Sequence, residues 1–399
     1  MLKISCKVCA VGVALSMPAL VQAQNTDEDV AGFVYGTVPR TVTTSVPFLA
    51  IGPDARAGGM GDQGVATAPD ANAMHWNVAK LGFVEDNMSL SVSYTPWLRN
   101  LVPDINLAYV SFYRKMNDRF TLGASLKYFS LGDITFTDNE GNFQGNYTPN
   151  EFSVDAGGSL LLSKKWALGA AFRFVYSNLT LGQQVGGVAT GPGIAGCGDF
   201  GFYFQDEEQK ILKRDVIWRF GVTMQNIGSK IRYNSAQTAA DWLPVNLRVG
   251  GSNTIQIDDY NSFMLSLEMS KLMVPTPPVR DPQTGDILEG QDPDRPVLTG
   301  MISSFWDAPG GFSEEWDEFV WSVAAEYWYN KTLAVRSGFF YENPLKGNRR
   351  YITLGAGVRY NVFGLDFSYL FALGQTNPLA NTLRFTLTFD FGKAVQVAE

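Results

Sequence analysis

The sequence predicts an all-β protein, a transmembrane antiparallel β-barrel of about 14 strands with an N-terminal plug segment. Three observations lead to this prediction. The 399 residues are only 18% charged but 13% aromatic, and 40 of them are glycine, which is less charge and more glycine than a soluble domain usually carries. Apolar and polar residues alternate from about residue 88 to residue 391. The connections between the predicted strands are long and short in turn.

The composition argues against several other classes of protein. With 27 Phe, 16 Tyr and 9 Trp to bury, the chain is not expected to be disordered. Its net charge of −8 would repel a phosphate backbone, so no nucleic-acid binding is expected. The mean hydropathy of −0.05 is too low for a helical membrane protein.

Residues 1–23 have the pattern of a secretory signal peptide. Lys3 and Lys7 form a basic start, an apolar stretch follows, and Val21-Gln22-Ala23 resembles a cleavage site. The alternative is a membrane anchor, but the apolar stretch is too short to span a bilayer. The sequence therefore divides into a signal peptide (1–23), a periplasmic or luminal plug segment (24–87) and a barrel with long extracellular loops (88–399).

The alternation has the period of β-strands. Between residues 382 and 391, apolar and polar side chains fall on opposite faces of an extended chain. Similar runs predict fourteen strands, most of them near the 9–11 residues that a tilted strand needs to cross a bilayer. They are 88–94, 106–114, 119–130, 151–162, 166–178, 198–205, 215–226, 244–256, 260–271, 319–329, 332–341, 350–361, 363–373 and 382–391.

The connections between these strands indicate the architecture. Long connections alternate with shorter ones without a break. The long ones are 95–105, 131–150, 179–197, 227–243, 272–318, 342–349 and 374–381; the shorter ones are 115–118, 163–165, 206–214, 257–259, 330–331 and 362. Outer-membrane barrels have short periplasmic turns and longer extracellular loops. The even number of strands places both ends of the barrel at the periplasmic side.

The alternative to a barrel is a soluble β-sandwich or propeller, whose strands also alternate. The charged residues within the predicted strands argue against it, because all lie on the less apolar face and carry both signs. They are Lys127, Asp155, Arg173, Asp199, Arg219, Arg248, Glu268, Glu326, Arg336, Arg359, Asp366, Arg384 and Asp390. In a membrane barrel the apolar face meets lipid and the polar face lines the lumen, where these charges can pair.

Residues 24–87 lack a sustained strand pattern and contain two misleading motifs. Gly59-x-Gly61-x-x-Gly64 formally matches a dinucleotide fingerprint, but Pro53 and Asp54 argue against the buried strand that must precede it. His75 is the only histidine, so it cannot form a metal cluster with others. No cofactor or metal is expected, and the segment is interpreted as a plug folded into the lumen.

Part of this segment resembles the PorV family of the type IX secretion system. The resemblance runs from Pro47 to Gly61 and continues through Pro69-Asp70-Ala71-Asn72 to Met74-His75-Trp76-Asn77. The plug motif comprises Arg56, Gly59, Met60, Gly61, Asp70, His75, Trp76 and Asn77. The FadL-like barrels of fatty-acid transporters are similar in a looser form. Val78 departs from the pattern, which has proline at that position.

The resemblance implies a FadL-like barrel in the cell outer membrane that is not an enzyme. Such a protein would receive cargo carrying a C-terminal secretion domain from the translocon and deliver it to the surface sortase complex. Its partners would be a SprA/Sov-type translocon barrel, a PorU-type sortase, the cargo domains and outer-membrane lipid. Two alternatives stay open: a FadL-type transporter of hydrophobic small molecules, and an outer-membrane hydrolase that uses His75.

Two loops carry candidate partner-binding residues. Loop 272–318 is rich in proline, which stiffens it, and contains Phe305, Trp306, Phe312 and Trp316. Trp97, Leu98 and Leu101 form an apolar tip in loop 95–105. Aromatic side chains in a shaped loop are frequent interface anchors. The alternative is that these side chains lie at the lipid headgroups or pack within their own loops.

Overall fold

The structure is a computed structural model that describes residues 39–393, except for 100–101, 103, 138–142, 180–181, 183, 186–187, 212, 235–239, 282 and 375–378. The predicted signal peptide, residues 24–38 of the predicted plug segment, and Leu101 lie outside the described residues. Within the described part of the chain, no helix is long and apolar enough to cross a membrane.

Fourteen strands form a closed antiparallel barrel, and the predicted fold class is confirmed. Each strand pairs with the next in the chain, and β1 pairs with β14 to close the ring, with Leu90 opposite Phe389. The strands are β1 (Asp86–Pro96), β2 (Asn106–Lys115), β3 (Phe120–Ser130), β4 (Asn150–Ser163), β5 (Trp166–Asn178), β6 (Gly193–Ile211), β7 (Arg214–Gly228), β8 (Asn246–Gln256), β9 (Asn261–Leu272), β10 (Val320–Tyr329), β11 (Leu333–Tyr341), β12 (Arg350–Tyr360), β13 (Phe363–Ala372) and β14 (Leu383–Lys393).

The outer face of the barrel is apolar and the inner face is polar. In β14, Phe385 and Leu387 are 43% and 47% exposed, whereas Thr386 between them is fully buried. Of the charged strand residues named above, eleven are buried inside the ring, and Arg359 and Asp390 are half-buried. This is the reverse of a soluble sandwich and the arrangement expected of a barrel in lipid.

The hairpin formed by β6 and β7 is longer than the sequence predicts. The predicted connection 206–214 shrinks to a turn between Ile211 and Arg214. Beyond Gln205, β6 pairs with β7 and no longer with β5, while β7 pairs with β8 as far as Val216, so the tip of the hairpin projects past the short-turn end of the ring. Both faces of the projecting part are polar, which explains why alternation does not reveal it.

The loops at the long-loop end contain small elements of their own. Helices α1 (Ala55–Gly58) and α2 (Ala73–Trp76) precede β1. The connection after β9 holds helices α3 (Val297–Ser303) and α4 (Phe312–Asp317) and a two-stranded hairpin, Val279–Arg280 with Ile287–Glu289. The connection after β3 contains a second hairpin, Ile134–Thr137 with Phe143–Tyr147. These elements are too short for sequence periodicity to identify them, and tertiary contacts hold them.

Candidate functional site

The lumen contains a compact plug made of residues 47–84. Its elements are two 3₁₀ turns, Pro47–Ala50 and Val78–Phe83, and two single-turn α-helices that lie between them along the chain, Ala55–Gly58 and Ala73–Trp76. Helices this short are not stable alone, so contacts must hold them. Asp54 provides one, because its carboxylate accepts hydrogen bonds from Ala57 N at 2.9 Å and from Trp76 Nε1 at 2.6 Å.

Arg56 fastens the plug to the barrel wall through a buried ion pair. Its guanidinium donates to both oxygens of Glu326 on β10, at 3.1 and 3.0 Å, and to Asp70 within the plug at 2.9 Å. Glu326 also accepts from Arg336 at 2.7 Å, and Arg336 pairs with Asp366. The charges predicted for the lumen therefore pair both with one another and with the plug.

The glycines of the apparent nucleotide motif instead allow close packing. The Cα of Gly59 lies so near Gly355 on β12 that a Cβ on either residue would be 2.9–3.0 Å from the other's Cα. Gly61, with φ +68°, lies against Gly338 on β11. Met60 between them is buried against Met264 and Ala324 of the barrel. The fingerprint lacks its strand, since a 3₁₀ turn and a short helix precede it.

His75 lies at the centre of the plug, next to a buried lysine of the barrel. Lys127 Nζ is 3.3 Å from His75 Nδ1 and also donates to the carbonyls of Leu49 and Ile51. Burial, followed by the positive charge of Lys127, lowers the pKa of His75 well below its usual value. The neutral ring accepts from Lys127, and the His75 carbonyl accepts from Gln225. This is a structural environment and not a nucleophile–base pair.

Trp76 and Asn77 complete the plug motif. Trp76 is buried beneath the Arg248 guanidinium, whose central carbon is 5.1 Å from the ring centroid. The Asn77 amide donates to the carbonyls of Val65 and Phe202, and its oxygen accepts from Ala79 N at 3.1 Å. This cap starts the second 3₁₀ turn with Val78 at its first position, so the turn forms without a proline there.

A cavity of about 830 Å³ lies between the plug and the long loops. One part of its lining is apolar and includes Trp97, Leu98, Ile105, Phe129 and Leu131. The remainder is mixed. It includes further apolar residues such as Phe340 and Leu373, the acidic Asp62, Glu318 and Glu342, and a set of polar and basic residues: Asn246, Arg248, Ser270, Lys346, Arg349, Arg350 and Arg384. The cavity therefore offers both apolar surface and hydrogen-bond donors to a molecule that approaches from the long-loop end.

Asp62 belongs to this cavity lining, and sequence reasoning did not single it out. It pairs with Arg384 on β14 and accepts a hydrogen bond from Tyr351 at 2.6 Å. Its φ of +56° is uncommon for a residue with a side chain. Asp62 therefore lies at the boundary between the plug and the cavity, where Arg384 holds it. No local sequence pattern around Asp62 predicts a pair with a barrel arginine 322 residues away.

Residues 39–46, which precede the plug, form a strap at the long-loop end. Arg40 pairs with Glu314 of helix α4 at 3.2 Å, and Ser45 N donates to the Trp242 carbonyl at 2.9 Å. Thr41, Thr43 and Thr44 line the cavity. The described chain thus begins at the long-loop end, passes through the lumen as the plug, and reaches β1 at the opposite end.

Buried ion pairs fix the loop after β9 to the barrel and to the loop after β11, and its sequence pattern does not predict them. Lys271 at the end of β9 is fully buried and pairs with Glu315 at 3.0 Å and with Glu318. Lys346 from the loop after β11 pairs with Glu314 at 2.7 Å and with Glu318 at 2.9 Å. Glu314, Glu315 and Glu318 therefore stabilise the shape of this loop.

The predicted partner-binding residues fall into two groups. Trp306, Phe312 and Trp316 are 60%, 82% and 53% exposed on the loop after β9. The others are half-buried: Phe305 packs into the cluster around Trp242, while Trp97 and Leu98 line the cavity. Phe305 points inward because helix α3 and Lys271 cover it. In the described part of the chain, no group of three or more His, Cys, Asp and Glu side chains could hold a metal ion.

Several solved barrels are similar to this chain. The Ralstonia pickettii toluene transporter TbuX is 15% identical, with a TM-score of 0.43 over 86% of this chain and 98% of its own. The Pseudomonas putida toluene transporter TodX is 12% identical, with a TM-score of 0.45 over 88% and 98%. A Pseudomonas aeruginosa FadL homologue is 13% identical, with a TM-score of 0.45 over 89% and 100%. The architecture described above rests on this chain's own strand pairing.

The sequence comparisons identify the family. A search of curated proteins gave no match. The family described as "Type IX secretion system protein PorV" matches residues 36–279, more than half of the chain, including the whole plug motif and strands β1 to β9. The match contains the residues that build the plug, whereas several of the wall residues that hold it, such as Glu326, Gly355 and Arg384, lie beyond the match. The chain belongs to the PorV family of type IX secretion system proteins.

Proposed function

We propose that this protein is a non-enzymatic carrier of the type IX secretion system in the outer membrane. It receives cargo with a C-terminal secretion domain from a SprA/Sov-type translocon barrel. It then delivers the cargo to a PorU-type sortase complex at the cell surface. In this proposal residues 1–23 are the signal peptide that directs export, and outer-membrane lipid surrounds the apolar outer face.

The proposal is supported by the division of the lumen into a firmly bound plug and a cavity on its long-loop side. The plug is hydrogen-bonded to strands all around the ring, for example to Ser111 on β2, Ser159 on β4 and Tyr203 on β6. A route through the barrel would require buried ion pairs such as Arg56–Glu326 to break, which is costly. A carrier can bind cargo without breaking any of these ion pairs, because the cavity faces the long loops.

The exposed aromatic side chains of the loop after β9 are the proposed partner contacts. Trp306 and Phe312 stand on a loop whose base is fixed by the buried Lys271. An apolar side chain on a rigid base loses little conformational entropy on binding, so it suits an interface. Trp316 contacts Phe319 and Trp321 at the start of β10 and has a smaller free surface.

Isolation of the tagged protein from detergent-solubilised outer membranes tests the proposal. The translocon barrel, the sortase or cargo should co-purify with the wild-type chain. In a strain that lacks the gene, cargo with the secretion domain should accumulate inside the cell. Normal cargo display in that strain would contradict the proposal.

The apolar part of the cavity favours one second candidate, a transporter of hydrophobic small molecules. Phe129, Leu131 and Ile105 would contact such a molecule. The two functions differ in their loss phenotype, because a transporter predicts lost uptake with normal secretion. Secretion assays on the deletion strain, run beside uptake assays with a labelled hydrocarbon, separate them.

A further inference from the structure

One wall of the cavity presents three polar side chains from neighbouring strands. Arg248 on β8 is directly opposite Ser270 on β9 in the strand register. Asn246 lies two residues from Arg248 on the same strand, so it shares the same face. All three line the cavity. They bring a guanidinium, an amide and a hydroxyl group to one patch of the lumen wall, and each of these can donate a hydrogen bond.

Arg248 has an unused donor at this patch. Its side chain is nine-tenths buried, at 10% exposed, and Nη1 donates to Glu268 Oε1 at 2.8 Å. Its Nε, also buried, has no hydrogen-bond partner among the described residues. A buried donor without a partner is costly. Arg248 also lines the cavity with one terminal nitrogen, Nη2, outside its pair with Glu268, whereas both terminal nitrogens of Arg384 at the other wall are paired with Asp62.

The charge of Arg248 is also incompletely neutralised by its partner. The second oxygen of Glu268 accepts from the plug backbone at Gly64 N (2.8 Å) and Val65 N (2.9 Å). The carboxylate therefore divides its interactions between the plug and the arginine. The Trp76 ring lies against the guanidinium and fixes its position. The result is a positioned cation at a cavity wall before any ligand binds.

We infer that Arg248, Asn246 and Ser270 form an anchoring subsite for a carboxylate of the cargo secretion domain. The inference rests on the proposed function and identifies the part of the cavity that would recognise cargo. A carboxylate is acceptor-only and matches three converging donors. A peptide fits the remaining lining, because Thr41, Thr43 and Thr44 offer hydrogen bonds to amides, whereas an alkyl chain would leave them unpaired.

Affinity measurements on the full-length protein in nanodiscs test the subsite, with a purified cargo secretion domain as the probe. Arg248→Gln removes the cation, and Ser270→Asp places a negative charge beside it while keeping the Arg248–Glu268 pair. Each should weaken binding at least tenfold. Ser270→Ala removes only a neutral donor of the subsite, so it should weaken binding less than either charge change. Arg359→Gln removes a half-buried luminal arginine near the short-turn end and should have no effect. Heat-modifiable gel mobility verifies that each barrel is folded.

The outcomes separate this inference from the proposed function. If the domain binds wild type and both Arg248→Gln and Ser270→Asp equally well, the inference is overturned and the carrier function stands. If the domain does not bind wild type, both fail. A parallel titration with dodecanoate tests whether the subsite binds the carboxylate of a fatty acid instead of that of the cargo domain. If the two substitutions weaken dodecanoate binding and leave cargo binding unchanged, the subsite serves a free fatty acid and the inference is overturned.

Discussion

Replacing Arg56 with methionine should release the plug from the barrel wall. Methionine has a similar length but removes the charge that pairs with both oxygens of Glu326 and with Asp70. Loss of one partner of a buried ion pair costs about 3–5 kcal/mol. Glu326 keeps a second partner, Arg336 at 2.7 Å, so it is not left as an unpaired buried charge. We therefore expect the plug to lose about 3 kcal/mol of stability, the lower end of this range. That corresponds to a roughly hundredfold larger population of released plug.

Hydrogen exchange of the protein in nanodiscs measures this population directly. Backbone amides within residues 55–70 should exchange about a hundredfold faster in Arg56→Met, while amides of β5 and β6 stay protected. Arg359→Met is the matched control, since Arg359 pairs with Asp366 on the wall and is half-buried. Exchange within threefold of wild type would refute the reasoning.

A double-mutant cycle with Glu326→Gln sharpens the result. If the two side chains stabilise the plug through their direct pair, the combined effect should fall short of the sum by about 0.5–3 kcal/mol. Additive effects would show that Arg56 acts through Asp70 within the plug alone. The measurement is the same exchange experiment on all four proteins.

Three further predictions follow from other parts of the structure. In Gly338→Ala the new methyl group collides with the Gly61 backbone, so plug exchange should rise by the equivalent of about 1–3 kcal/mol; unchanged exchange would contradict this packing. Burial raises the pKa of Asp307 from 3.8 to about 6, so the folded loop binds this proton more tightly than the unfolded loop. Loop stability should therefore fall as the pH rises from about 4 to about 6, and Asp307→Asn should abolish the pH dependence of proteolysis; an unaltered pH profile would contradict the assignment. Trp306→Ser with Phe312→Ser should abolish partner co-purification and shift stability by less than about 0.5 kcal/mol; co-purification at wild-type levels would exclude these side chains as anchors.

The barrel was predictable because lipid and lumen impose opposite demands on successive residues. Thr386 is fully buried between exposed Phe385 and Leu387, and such alternation is visible in one sequence. It fails where both faces meet water, as at the tip of β6 and β7 around Glu207 and Glu208, which the sequence analysis assigned to a connection. It also cannot show helices of six or seven residues such as α3 and α4.

The plug illustrates a different limit of sequence reasoning. Its composition and its resemblance to a family indicate a luminal segment, but its contacts join distant residues, since Arg56 and Glu326 are 270 positions apart. The cavity residue Asp62 has no local signature for the same reason. Arg248 and Arg384 were recognised as luminal charges, but which of them keeps a free donor depends on how Glu268 shares its oxygens with the plug.

The path of the described chain constrains the order of assembly. The strap is tied to the long-loop end by Arg40–Glu314, whereas β1 starts at the other end, where Asp86 is opposite Lys393 of β14. A ring that closed first would have to be threaded by its own N-terminal segment. Docking of the plug onto an open, curved sheet before the β1–β14 seam forms avoids that threading. A barrel whose seam closed early would reach the native state only by passing its N-terminal segment through the lumen, even with every strand in register.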